Sequence, residues 1–170
     1  MSVALGYIDA CSDIQIIIPV RCLRLWLNSN VAPVWGIEML SHVYLGTNDF
    51  EKALEFYRPL MSLLNLCERF CDAQRQWVAW EVAPGVRPLF VVGRPYDGRP
   101  ASAGNGFMVA LLASDRRTVD AVHAVALQQG GVDEDAPGLR PEYHSNYYGA
   151  YFRDLDGNKL CVVTHSPEIE

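Results

Sequence analysis

The sequence has no apolar run approaching the ~20 residues that a membrane-spanning helix requires. The stretch Ile14-Gln15-Ile16-Ile17-Ile18-Pro19-Val20 is short, and no Lys or Arg precedes it, so the positive flank of a secretory leader is lacking too. Positive charge is scarce: 14 Lys and Arg stand against 20 Asp and Glu, a formal net charge of -6. That balance excludes nucleic acid and an anionic membrane surface as the main partner. Arg87, Arg94 and Arg99 are the loosest approach to a basic patch. Metal-clip spacing is also missing. Cys67 and Cys71 stand four apart, but no second Cys or His pair follows at finger-like distance, and such positions in a strand simply share a face. Five cysteines, an odd count without a leader, fit a reducing compartment, the cytoplasm, better than a disulfide framework.

What is present is a chain of 170 residues, 50% of them hydrophobic, enough for one core or for two small repeats sharing one. Residues 1–38 differ from the rest and read as an N-terminal extension, either an over-extended gene start or an extra edge element. The domain is expected over residues 39–166.

Within it one pattern is written twice. Ser41 to Leu45 alternates as a strand, and Asn48 with Glu51 three residues on resembles a capping box. Phe50, Ala53, Leu54, Tyr57, Leu60, Met61 and Leu64 then form an apolar stripe at helical period, which Pro59 should kink or end. Three strand-like runs follow, Leu66–Asp72, Gln76–Ala83 and Arg87–Gly93. The order returns with a strand over Phe107–Leu112, a helix capped at Ser114-Asp115 and stopped by Gly130-Gly131, a polar-aromatic stretch from Pro137 to Gly149, and a hairpin turning at Asp156-Gly157-Asn158. The units span about 39–95 and 104–166. Val43 lies on Val109 at an offset of 66, and Leu89-Phe90-Val91-Val92 on Leu160-Cys161-Val162-Val163 at an offset of 71. The fold class expected is α+β: two βαβββ modules forming a curved, open barrel-like sheet with the helices outside. Val43, Leu45, Val109 and Leu111 suit the helix-facing side. The other parity, His42 and Tyr44, Phe90 and Val92, Met108 and Ala110, Cys161 and Val163, would line one concave cup.

The segments "HVYLGTNDFEKALEFYRPLMSLL", "GNGFMVALLASDRRTVDAVHAVALQQGG", "APGLRPEYHSNYYGAYFRDLDGNKL" and "VVTH" resemble the vicinal oxygen chelate superfamily of glyoxalases, bleomycin-resistance proteins and extradiol dioxygenases, and most of all its small glyoxalase-like branch. The resemblance implies a divalent ion, Zn, Ni, Mn or Fe, held by His or Glu from equivalent strands and acting as a Lewis acid. Carried over position by position, the first ligand falls on His42, the second on Met108 and the third on Cys161, with Phe90 at the remaining equivalent place. A thioether and a thiol beside one imidazole do not make an oxygen-chelating site.

The expectation is therefore a glyoxalase-like protein with a degenerate metal site and no cofactor, binding a small organic molecule in the cup between the modules. Its lining would be His42, Tyr44, Phe90, Met108 and Cys161. Tyr143, His144, Tyr147 and Tyr148 would form a lid, or a loop clamped by its own aromatics. Cys161 could serve as a nucleophile only with a depressed pKa and a base nearby. The alternative is a metal-dependent lyase, isomerase or dioxygenase using His42, and a third reading is a purely structural or regulatory subunit with a filled pocket. The resemblance also implies a homodimer.

Overall fold

A computed structural model describes residues 39–168; the N-terminal extension, with Cys11 and Cys22, lies outside the described residues. The first half comprises β1 (His42–Gly46), α1 (Phe50–Leu63), β2 (Cys67–Asp72), β3 (Trp77–Glu81) and β4 (Leu89–Gly93). The second comprises β5 (Val109–Leu112), α2 (Arg116–Gln128), β6 (Val132–Leu139), β7 (Tyr148–Arg153) and β8 (Lys159–Thr164). Each half is a four-stranded open sheet, ordered β1-β4-β3-β2 and β5-β8-β7-β6. In both, the first strand runs parallel to the last and the other neighbours are antiparallel. The expected α+β fold of two βαβββ modules is the fold found.

The helices start where short acidic side chains can cap them. Asp49 accepts from the Lys52 N–H and Asp115 from the Thr118 N–H, each occupying a donor that the first turn leaves free. The cap of α1 is thus Asp49, not Asn48. Asn48 instead hydrogen-bonds Asp156 and Ala101, tying the end of β1 to the far half and to the connector. Pro59 does not end α1, which runs on to Leu63.

Helix-facing residues of both sheets meet in one core. Leu45, Trp80, Phe90 and Val92 from the first sheet share it with Leu111, Phe152, Leu160 and Val162 from the second, around Tyr57, Leu60, Met61, Val119 and Val122 of the helices. Each fully buried Leu or Val there contributes about 2 kcal/mol relative to exposure. Phe56 bridges the halves, its ring 5.0 Å from Tyr57 and 6.4 Å from Phe152.

A polar brace completes the junction. The buried Asp154 carboxylate accepts from the Tyr57 hydroxyl at 2.5 Å, from the Asn158 side-chain amide at 2.8 Å and from the backbone N–H groups of Asp156 and Asn158. Asn158 also donates to the Gly46 carbonyl, 3.1 Å away. The Asp154-Leu155-Asp156-Gly157-Asn158 turn therefore joins a β-hairpin to α1 and β1, and Gly157 takes the left-handed φ of 83° the turn requires. Burial raises the Asp154 carboxyl above its ordinary value.

The register corrects one expectation. Val43 is paired with Phe90 and Val109 with Leu160, so Phe90 is the counterpart of Leu160, an offset of 70 rather than 71. Phe90 consequently faces the helix, 5.5 Å from Tyr57 and 6.1 Å from Trp80 between ring centres. A one-residue slip exchanges the two faces of a strand. Val91, not Phe90, occupies the place of Cys161, and with Ala79 and Leu89 it forms a small second cluster backed by Phe70 and Trp77.

Candidate functional site

Strands β7 and β8 determine what the second sheet presents away from its helix. Antiparallel pairing sets Tyr151 opposite Cys161, and parallel pairing sets Ala110 on its other side. Cys161 is buried, and burial pushes its thiol above the usual range. The Tyr147 hydroxyl lies 3.7 Å from its sulfur and 3.3 Å from the Tyr151 hydroxyl. Both phenols are also raised by desolvation, so the three groups stay protonated and act as hydrogen-bonding partners. Cations flank them: the Arg140 guanidinium is 5.9 Å and the Lys159 ammonium 5.6 Å from the centre of the Tyr151 ring.

Above this trio, His144 and His165 meet with Nε2 and Nδ1 2.8 Å apart. The Asn146 N–H donates to His144 Nδ1, so the His144 hydrogen sits on Nε2 and is given to His165 Nδ1. Tyr147 packs between them and Tyr143, with ring centres 4.8 Å from Tyr143 and 5.3 Å from His165. Tyr143, His144 and Tyr147 are thus assembled with Cys161 on one face.

Tyr148 is not among them. It lies on the helix side of β7, donates to Asp120 of α2 at 2.8 Å and carries the Arg116 guanidinium over its ring. Alternation along β7 puts it on the opposite face to Tyr147's partner Tyr151. Met108 is 41% exposed beside a cleft of about 530 Å³ lined by Phe107, the Gly104–Gly106 loop, Arg153 and Lys159.

His42 and Tyr44 belong to the other sheet. His42 is exposed and contacts the Ser41 hydroxyl through Nδ1. Tyr44 reaches across β4 to donate to the Arg94 carbonyl at 2.7 Å. A second cleft, about 980 Å³, lies over Tyr44 and Trp77. Each cleft is lined by one half and the connector, so His42 and Cys161 do not share either of them.

The donor set does not fit an oxygen-chelating divalent ion. Among the described residues there is no group of three or more His, Cys, Asp or Glu able to hold a metal. A Cys ligand must be a thiolate, whereas the burial of Cys161 favours the thiol. The facing nitrogens of His144 and His165 are spent on each other. Cys161 as a nucleophile is likewise disfavoured, having a raised thiol and, among the described residues, no imidazole hydrogen-bonded to it.

Tyr151, Arg140 and Lys159 escaped the sequence reading. Tyr151 was legible in principle, because folding the hairpin about Asp154–Asn158 pairs it with Cys161.

Comparison with known proteins fits this geometry. No family model matches the chain, and no curated protein does. Among solved structures, a glyoxalase/bleomycin resistance protein from Albidiferax ferrireducens T118 is 33% identical, with 75% of this chain covering 99% of that one at a TM-score of 0.67. The chain belongs to the glyoxalase/bleomycin resistance protein family. The fold recurs at lower identity. A member of the glyoxalase/bleomycin resistance protein/dioxygenase superfamily from Sphaerobacter thermophilus DSM 20745 is 24% identical, at 75% and 98% coverage and TM-score 0.51. The antibiotic binding protein TnmS3 from Streptomyces sp. CB03234 is 21% identical, at 77% and 98% coverage and TM-score 0.52.

Proposed function

We propose that this glyoxalase/bleomycin-resistance-type protein binds a small organic molecule against the open face of its second sheet, without the divalent ion that the superfamily resemblance implies. The observation that carries the reading is the trio of Cys161, Tyr147 and Tyr151, which stands where that resemblance expects a metal-binding Glu. Two phenols can donate to a ligand carbonyl or ether oxygen. The Tyr143, Tyr147 and His165 rings offer faces for a planar group. TnmS3, which shares the fold, is an antibiotic binding protein, a precedent for holding a small organic molecule on this scaffold. We further infer that the protein works in the cytoplasm as a homodimer, a second copy covering Leu112, which is 70% exposed.

The test has two arms. Metal content is measured on protein purified without chelators or a metal-affinity tag, and sub-stoichiometric metal is expected; stoichiometric metal lost on His42→Ala would replace this reading with a metalloenzyme. A thermal-shift series over planar antibiotics and aromatic ketones should then raise the melting temperature, since ligand binding to the folded state stabilises by mass action. Tyr147→Phe should abolish that rise. Light scattering checks the dimer.

A further inference from the structure

The cleft over the first sheet has a chemistry that the reading above does not use. Its floor is aromatic, from Tyr44 and Trp77, and its rim carries Arg75, Arg94 and Arg99 against the single carboxylate of Asp97. In a chain of net charge -6, these three guanidinium groups, less the Asp97 carboxylate and the Asp72 carboxylate beside Arg75, leave a local excess of one positive charge. The three are not equivalent. Arg99 is held by Asp97 at 2.7 Å, and Arg75 stands 3.9 Å from Asp72. Arg94 has no carboxylate partner among the described residues; its Nη1 reaches only the Asn48 carbonyl, at 3.3 Å.

The mount of Arg94 is fixed on both sides. Its N–H donates to the Gln76 carbonyl at 3.1 Å, and its own carbonyl receives the Tyr44 hydroxyl. Gly93, just before it, explains how Tyr44 lies so close: a Cβ there would fall 2.6 Å from the Tyr44 oxygen and 2.7 Å from the Trp77 Cβ. The strand gives up a side chain so that the phenol and the indole can flank the backbone that carries the guanidinium. Gly46 is paired with Gly93 across the sheet, so this row stays shallow towards the connector.

We propose that this cleft is a binding site for a planar organic anion, an aromatic carboxylate or phosphate, whose ring lies on Tyr44 and Trp77 and whose charge pairs with Arg94. A guanidinium fork matches two acidic oxygens, which an ammonium does not. An aromatic floor holds the ring whatever its substituents.

The experiment uses 2-naphthoate and its uncharged analogue 2-naphthylmethanol, titrated calorimetrically into the full chain. The carboxylate should bind at least about tenfold more tightly than the alcohol, as one charge-assisted pair requires. Raising the ionic strength should weaken it. Arg94→Ala should remove the preference for the carboxylate, and Arg94→Lys should restore part of it. Equal affinity for the two probes, no carboxylate binding at millimolar concentration, or unchanged binding in Arg94→Ala would each overturn the proposal. Tyr147→Phe separates the two sites: loss of naphthoate binding there, with Arg94→Ala unaffected, would move the anion to the second sheet and leave only the proposed function standing.

Discussion

Val91 and Cys161 occupy the same place in the two halves, and the rows they anchor are built in opposite senses. In the first sheet the row reads Tyr44, Val91, Ala79, Phe70, with the phenol on the first strand. In the second it reads Ala110, Cys161, Tyr151, Asp135, with the phenol on the third. The same fold thus offers a phenol-edged apolar row beside an arginine with no carboxylate partner among the described residues in one half, and a hydroxyl–thiol row beside paired imidazoles in the other. The turns before the last strands differ as well. Asp154–Asn158 grips α1 and β1, whereas Pro84-Gly85 in the matching connection of the first half is left largely to solvent. Two repeats of one scaffold have divided the work: the turn of the second half holds the halves together, and each half keeps an open sheet face of its own.

The largest expected effect tests the register on which the comparison rests. Phe90→Ala should cost about 4 kcal/mol in denaturant unfolding, the usual range for emptying an aromatic core site, while Val91→Ala should cost far less. Comparable losses would put the pairing of Val91 with Cys161 in doubt. Next is the brace. Asp154→Ala leaves the Tyr57 hydroxyl and two backbone donors without their acceptor, and should cost about 3 kcal/mol. Gly85→Ala, a left-handed position at φ 82° with open space around it, should cost about 1 kcal/mol. A brace no more costly than that turn would remove the asymmetry.

The Asp154 carboxyl also sharpens the contrast through pH. Its folded-state pKa is raised, so the native state binds the proton more tightly than the unfolded chain. The stability it contributes is complete below the unfolded carboxylate value and is lost as pH rises through the folded one. Subtracting the unfolding free energies of Asp154→Asn from those of the parent protein, measured across the acid range, should give a difference that falls with rising pH. A flat difference would mean that Asp154 is not desolvated. The smallest effect is kinetic and leaves stability untouched. Cys71, exposed on β2, should react with a thiol reagent in the native state, whereas Cys161 should react only as the protein unfolds.

The element order was legible because its signals are local. Asp115 before a 3.6-residue stripe, and Gly130-Gly131 after it, specify a helix wherever they occur. In β8 the face of each residue was also legible, since Lys159 at one end marks the parity that cannot enter the core. Strand β4 carries no such mark. Leu89, Phe90, Val91, Val92 and Gly93 are all buried, so composition is silent about which parity meets the helix. For that reason the pattern alone puts Phe90 on the wrong face, and the start of β7, lying within a long aromatic stretch, carries no signal that turns Tyr148 to the helix.

By itself, the sequence determined the two βαβββ modules, the start of the second helix at Asp115 and the turn at Asp154–Asn158. These depend on side-chain chemistry and short-range spacing, which the chain carries wherever it goes. Only the tertiary structure decided that Phe90 belongs to the core, that Tyr148 turns to the helix, and that Tyr147 joins Tyr151 to the thiol. Those outcomes depend on strand register, and register is set by partners far along the chain, where a single-residue shift turns every side chain to the other face.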